Sequence, residues 1–106
     1  MRIVRTHRYI KDLKKLKASE AEVDAMERMI AADPAAGVLI RGLRGIRKAR
    51  FRIGNRGKSG GGRAIYYVLL AEGVVLMITA YAKAEKSDLT PEDRRAILGL
   101  LEEIKR

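Results

Sequence analysis

The stretch Ala64 to Ala71, AIYYVLLA, is apolar at odd and even positions alike. A strand with that pattern leaves water on both faces, so it belongs at the centre of a sheet. Before it, from Ile46, the period is two: Ala49, Phe51 and Ile53 point one way, and Lys48, Arg50 and Arg52 point the other. The intervening Gly54 to Gly62, GNRGKSGGG, reads as a loose hairpin loop. Glu72-Gly73 makes a tight turn into a further strand, Val74 to Lys83 (VVLMITAYAK).

Helical spacing flanks these strands. A short first strand, Arg2 to Arg5, gives way at Thr6, an N-cap, to a helix carrying Ile10, Leu13 and Leu16. Ser19 and Glu22 form a capping box opening a second helix, whose inner face is Val23, Met26, Met29 and Ile30. Asp33-Pro34 ends it, because a residue before proline disfavours helical geometry. Thr90-Pro91-Glu92-Asp93 starts a last helix with a threonine cap, proline at the first position and acids in the first turn; its stripe is Ile97, Leu98, Leu101 and Ile104. The expected order is β-α-α-β-β-β-α. This is an α+β fold in which an N-terminal helical hairpin packs on a mainly antiparallel four-stranded sheet, followed by a C-terminal helix. The 106 residues are expected to form one domain, 1–106, without internal repeats.

Composition removes several chemistries. With no cysteine there are no disulfides, no thiolate nucleophile and no cysteine-based zinc site. His7 is the only histidine, too few for a histidine metal site or a two-histidine acid–base pair. No metal and no cofactor are expected. The opening MRIVRTHRYI has no signal-peptide apolar run and no segment reaches membrane-spanning length, so the expected location is cytoplasmic, with no membrane partner.

The net charge of +10 is concentrated. Residues 1–40 contribute +2 and residues 64–106 contribute −1. Residues 41–63 hold nine cations (Arg41, Arg44, Arg47, Lys48, Arg50, Arg52, Arg56, Lys58 and Arg63) and no carboxylate. A solvated charged face usually mixes signs; an uncompensated run of this length repels itself and calls for an anionic partner, nucleic acid first. Along a strand, Lys48, Arg50 and Arg52 stand about 6–7 Å apart, near the spacing of phosphates on an extended nucleic acid strand. Arg56 and Lys58 make the glycine-rich loop a cationic flap. Arg63, where loop becomes strand, suits a two-point grip on phosphate, the alternative being a salt bridge to Glu85 or Asp88. Tyr66 and Tyr67 read as core, and Tyr81 as a base-stacking candidate. Gly57-Lys58-Ser59 imitates the end of a phosphate-binding P-loop, but the glycine required five residues earlier is Arg52, and a strand rather than a helix follows.

GLRGIRKARFRIGNRGKSGGGRAIYY followed by AYAKAEKSDLTPED resembles the HigB-like branch of the RelE/ParE toxin superfamily. That branch carries a G-L-R-K-x-R-F strand, a G-K-x-G-G-x-R-x-I-Y-Y segment and an A-Y-x-K-N-E-x-x-D-L segment ending before a helix. The match spans roughly residues 43 to 93. The resemblance implies a RelE-like fold and the toxin of a type II toxin–antitoxin system that cuts messenger RNA on the ribosome. It implies a cognate antitoxin with a helix-turn-helix part, and contact with operator DNA only through that antitoxin. Carried over by position, it points to Arg63 and Lys83, and matches Arg47, Lys48, Arg50 and Lys58 to the basic positions between. Two positions depart from the pattern: Ala84 stands for the asparagine, and Leu89 and Thr90 follow Asp88 where other members have a tyrosine.

RNA can be cut without metal when a 2′-hydroxyl attacks the neighbouring phosphate, provided charge is neutralised and protons are moved. Arg63 and the strand cations suit the first task. Lys83 is the acid–base candidate, with Glu85 as the alternative base and Lys86 beside them. Two other readings fit the same residues: a noncatalytic RNA- or ribosome-binding module, and a ParE-like gyrase-inhibiting toxin.

Overall fold

A computed structural model of the chain describes residues 1–54 and 61–105. Three helices, α1 (His7–Leu16), α2 (Glu20–Ala32) and α3 (Pro91–Ile104), accompany five strands: β1 (Arg2–Arg5), β2 (Val38–Leu39), β3 (Arg47–Phe51), β4 (Gly62–Leu69) and β5 (Val74–Ala82). The strands are ordered β1-β5-β4-β3-β2, which puts the doubly apolar segment in the middle. β1 runs parallel to β5 and every other pairing is antiparallel, so the sheet is mixed.

The four-stranded expectation is therefore corrected to five. The additional strand, β2, pairs Val38 with Lys48 and Leu39 with Arg47. Both its residues are exposed, Val38 at 69% and Leu39 at 56%, so no alternation betrays it; the pairing on β3 alone makes it a strand. β4 also begins two residues earlier than its apolar run and gives way after Leu69 to a short 3₁₀ turn, Leu70–Glu72. Gly73 closes that turn with φ of 65°, a left-handed backbone that glycine adopts without a Cβ penalty.

The helices start where side-chain caps are available. Thr6 accepts from the Tyr9 N–H, Ser19 and Glu22 complete their reciprocal box, and Thr90 and Asp93 form a second one. α1 and α2 pack one face of the sheet, where Tyr9, Leu13, Leu16, Val23, Met26 and Ile30 meet Phe51, Tyr66 and Met77. α3 packs the other, where Ile97 and Leu101 meet Ile46, Ile65, Ile78 and Tyr81. Two expected core positions are corrected: Ile10 and Met29 are exposed, and Tyr9 supplies the burial α1 needs. Opposite Ile65 and Tyr66 stand Thr79 and Met77, leaving Ile78 as the extra residue of a bulge that sharpens the strand's twist.

β1 reaches along β5 only as far as Met77. Beyond it, α1 side chains satisfy the strand edge. The Thr6 hydroxyl donates to the Met77 and Ile78 carbonyls at 2.9 and 3.0 Å, and the Asp12 carboxylate accepts from the Thr79 hydroxyl at 2.5 Å and the Ala80 N–H at 3.3 Å. An edge covered this way offers no template for another chain.

Glu27, 7% exposed, ties β1, α1 and α2 together. Arg5 grips its carboxylate at two points, 2.9 and 2.7 Å, and the Tyr9 hydroxyl donates to it at 2.7 Å. Burial, then the Glu27 bond, pushes the Tyr9 phenol far above its ordinary range, so it stays a donor at every working pH. Replacing Glu27 by alanine strands a buried hydroxyl and one end of an arginine whose other side still meets solvent. We expect Glu27→Ala to cost about 2–3 kcal/mol, read as a lowered urea midpoint with an unchanged m-value; Glu27→Gln, which still accepts from Tyr9, should cost less.

Candidate nucleic-acid interface

Strand parity sorts the basic residues before any contact is considered. Ala49 and Phe51 belong to the core under α1 and α2, so Lys48 and Arg50 face the α3 side. Arg50 is in register with Arg63 of β4, and Arg63 with Tyr81 of β5, which makes one row across three adjacent strands. Tyr81 packs with Leu89 in the α3 core, and Asp88, just before it, lies 3.8 Å from the Lys48 ammonium. Lys48, Arg50, Arg63 and Tyr81 are thus brought together on one face. Asp88, an alternative partner for Arg63 in the sequence, pairs with Lys48.

Arg63 is enclosed, at 8% exposure, and its Nη1 donates to the Gly62 carbonyl at 3.0 Å. A guanidinium held this way keeps its fork in a fixed direction. Tyr81 is 5% exposed, which corrects the expectation of an open stacking surface. The Lys86 ammonium stands 5.1 Å from its ring centroid, a cation–π contact. Among the described residues, the Tyr81 hydroxyl is the one buried side-chain polar atom with no hydrogen-bond partner. Burial, then the nearby Asp88 carboxylate, raises its pKa, with Arg63 opposing.

The turn after β5 is anchored by backbone: Lys83 N–H donates to the Gly61 carbonyl, and Glu85 and Lys86 N–H both donate to Ala82. Lys83 and Glu85 are exposed there. Lys86 is committed to Asp93, donating to Oδ2 at 2.7 Å. Asp93 also accepts from Arg8 at 2.5 Å and from the Thr90 N–H at 2.9 Å. Burial alone would push this carboxyl up, yet the bonds from Lys86, the Thr90 backbone and Arg8 together hold it well below the usual carboxylate range. One buried carboxylate therefore joins α1, the turn after β5 and the start of α3.

Two residues are not brought to this face. Arg47 shares the parity of Ala49 and donates to the Ala35 and Gly37 carbonyls at 3.2 and 2.7 Å, bracing the segment that leads into β2. Arg52 lies past the end of β3, exposed, beside Glu22 of α2, whose carboxyl is held low first by the Ser19 N–H, then by that of Gly54. Arg56 and Lys58 lie outside the described residues. What sequence reasoning missed is Asp93 as a hub. It is visible there only as a first-turn acid, because its partner Arg8 is 85 residues away. Among the described residues no group of three or more His, Asp or Glu side chains is placed to hold a metal ion, and no helix is long and apolar enough to cross a membrane.

No family model matches the sequence. Among solved structures, the fold is similar to that of the E. coli toxin RelE, determined in the free state as a mutant with two arginines changed to alanine. The two chains are 19% identical, with a TM-score of 0.56, over 81% of this chain and 86% of that one. The protein thus has a RelE-like α+β fold, with a five-stranded mixed sheet and three helices.

Asp93 carries a prediction whose sign follows from its depressed pKa. A carboxyl held low in the folded state stabilises it above the unfolded value, and that stabilisation is lost as pH falls through the folded one. Asp93→Asn should lower stability by about 2 kcal/mol at pH 7. The gap from the wild type should narrow progressively as the pH drops below the ordinary aspartate value of 3.8. Urea midpoints of both proteins between pH 7 and pH 3 check this; a constant gap would mean that Asp93 acts by shape rather than charge.

Proposed function

We propose that this protein is the toxin of a type II toxin–antitoxin system, of the HigB-like branch, acting in the cytoplasm as a metal-independent endoribonuclease on messenger RNA at the ribosome. The observation that carries the reading is the row Arg50–Arg63–Tyr81, with Lys48 beside it, on one sheet face of a RelE-like fold. Three cations from β3 and β4 sharing one face, with Asp88 3.8 Å from the Lys48 ammonium, suit a bound phosphate chain.

In this reading the 2′-hydroxyl of one nucleotide attacks the adjacent phosphorus, its proton leaves to a base, and the 5′-oxygen departs after receiving a proton. Arg63, rigidly directed, faces the charge that grows on the non-bridging oxygens. Lys83 or Glu85, exposed on the turn beyond β5, moves the protons. Lys86, held by Asp93 and lying over Tyr81, positions the turn that carries them. Lys48 and Arg50 hold flanking phosphates. The partner that restrains the toxin is a cognate antitoxin with a helix-turn-helix part, and operator DNA is reached only through it.

Induction followed by mapping of RNA 5′ ends tests the reading. New ends within coding regions are expected, and Arg63→Ala, folded as judged by circular dichroism, should reduce their formation about 100-fold or more. Lys83→Ala should change the pH profile of cleavage rather than binding. Arrested DNA replication with intact messages would favour a gyrase-inhibiting toxin, and unchanged growth a binding module.

A further inference from the structure

Residues 41–63 hold most of the net charge, but α1 carries a second concentration that the proposed site does not use. Residues 7–17 contain Arg8, Lys11, Lys14, Lys15 and Lys17 against one acid, Asp12. That acid is turned to the Thr79 hydroxyl and the Ala80 N–H. All four lysines are exposed, and none has a carboxylate within ion-pairing distance among the described residues. The acids of the neighbouring helix are mostly engaged: Glu27 with Arg5 at 2.7 Å, Asp24 with Arg28 at 3.0 Å, Glu22 in its capping box. Glu20 and Asp24 line a groove with Lys14, whereas Lys15 shares its groove with Glu85 and with Asp12, the acid already bonded to β5, and Lys11 lies one turn before it.

The helix dipole accounts for basic residues in the last turn, where Lys14 and Lys15 sit. It does not account for Lys11, a turn earlier. Like charges at i and i+4 repel and cost helix stability, so Lys11 above Lys15 is a local expense without a local return.

Position supplies the rest. A polar groove of about 270 Å³ separates α1 from the turn after β5, lined by Arg8, Asp12, Lys15, Tyr81, Glu85 and Lys86 among others. Three of these are cations, and Lys86 also touches the Tyr81 ring of the proposed site. The groove thus runs from the turn after β5, at Glu85 and Lys86, to Lys15 of α1, and Lys11 stands one helical turn before Lys15.

We propose that Lys11 and Lys15 form a second phosphate-binding surface, which holds the RNA strand that leaves the proposed cleavage site through this groove. The inference rests on the RNA-cleaving reading for its ligand and on the charge and geometry of α1 for its place. Each lysine meets one backbone phosphate. Because the surface lies beyond the site, it adds affinity only for RNA long enough to reach it.

The test is direct binding, with Arg63→Ala protein so that cleavage plays no part. RNAs of about 4 and about 16 nucleotides are titrated by fluorescence anisotropy across a salt series. The longer RNA should bind more tightly than the shorter. In Lys11→Gln/Lys15→Gln most of that gain should vanish, with the log–log salt slope for the long RNA smaller by about 1.4. Affinity for the short RNA should be unchanged, and Lys11→Arg/Lys15→Arg should retain the gain. No length-dependent gain, or a gain that survives the double glutamine variant, overturns the proposal. If messages stay intact on induction while the length-dependent binding is found, the cleavage reading fails and the surface stands. If messages are cut but the α1 lysines prove indifferent to RNA length, the reverse holds.

Discussion

Burying β4 on both faces sets the terms for everything else in this molecule. Ala64 and Tyr66 face α1 and α2, while Ile65 faces α3; Ala64, Ile65 and Tyr66 are each inaccessible to solvent. Two layers must therefore cover one sheet, and the described residues supply three helices to do it. The helical hairpin takes one face. On the other, α3 covers Ile65, Ile78 and Tyr81, and Tyr81 stands in register with Arg63, and Arg63 with Arg50. The bulge at Ile78 changes the parity of β5, so that Ile78 and Tyr81, three residues apart, both join the core under α3.

Local signals in the sequence were read with success where the physics is local. Thr6, Ser19 with Glu22, and Thr90 with Asp93 cap their helices within three residues, and those caps are present. Both faces of β4 are apolar, and it is central. Features that depend on distant partners were not legible. β2 is a strand only because Lys48 and Arg47 lie opposite it, and Asp93 is a hub only because Arg8 reaches it. Tyr81 reads as a base-stacking candidate until Leu89 is seen to pack against it. Arg47 is a different case. The alternation that separates Lys48 from Ala49 also puts Arg47 with Ala49, so its inward side was available from parity alone. The family motif, which groups it with basic strand positions, pointed the other way.

The carboxylates explain why so much positive charge remains exposed. Glu27 is committed to Arg5 and Tyr9, Asp12 to the edge of β5, and Asp93 to Arg8, Lys86 and its own helix N-terminus. These acids hold elements together from half-buried or buried positions, where desolvation is offset by several hydrogen bonds each. Acids used this way cannot also neutralise the surface. Residues 41–63 contribute none of their own, and among the described residues only Asp88 approaches the cations of β3.

That single contact has a physical reading of its own. At 3.8 Å, with Asp88 more than half exposed, the Lys48–Asp88 pair is loose and solvated, worth little to stability. A phosphate oxygen arriving at Lys48 would replace a weak partner at small cost, whereas the tight Lys86–Asp93 pair at 2.7 Å would resist replacement. The two lysines thus differ in what they can do. Lys48 can exchange its carboxylate for an incoming anion. Lys86 keeps its own, and with it the geometry of the turn on which Lys83 and Glu85 stand.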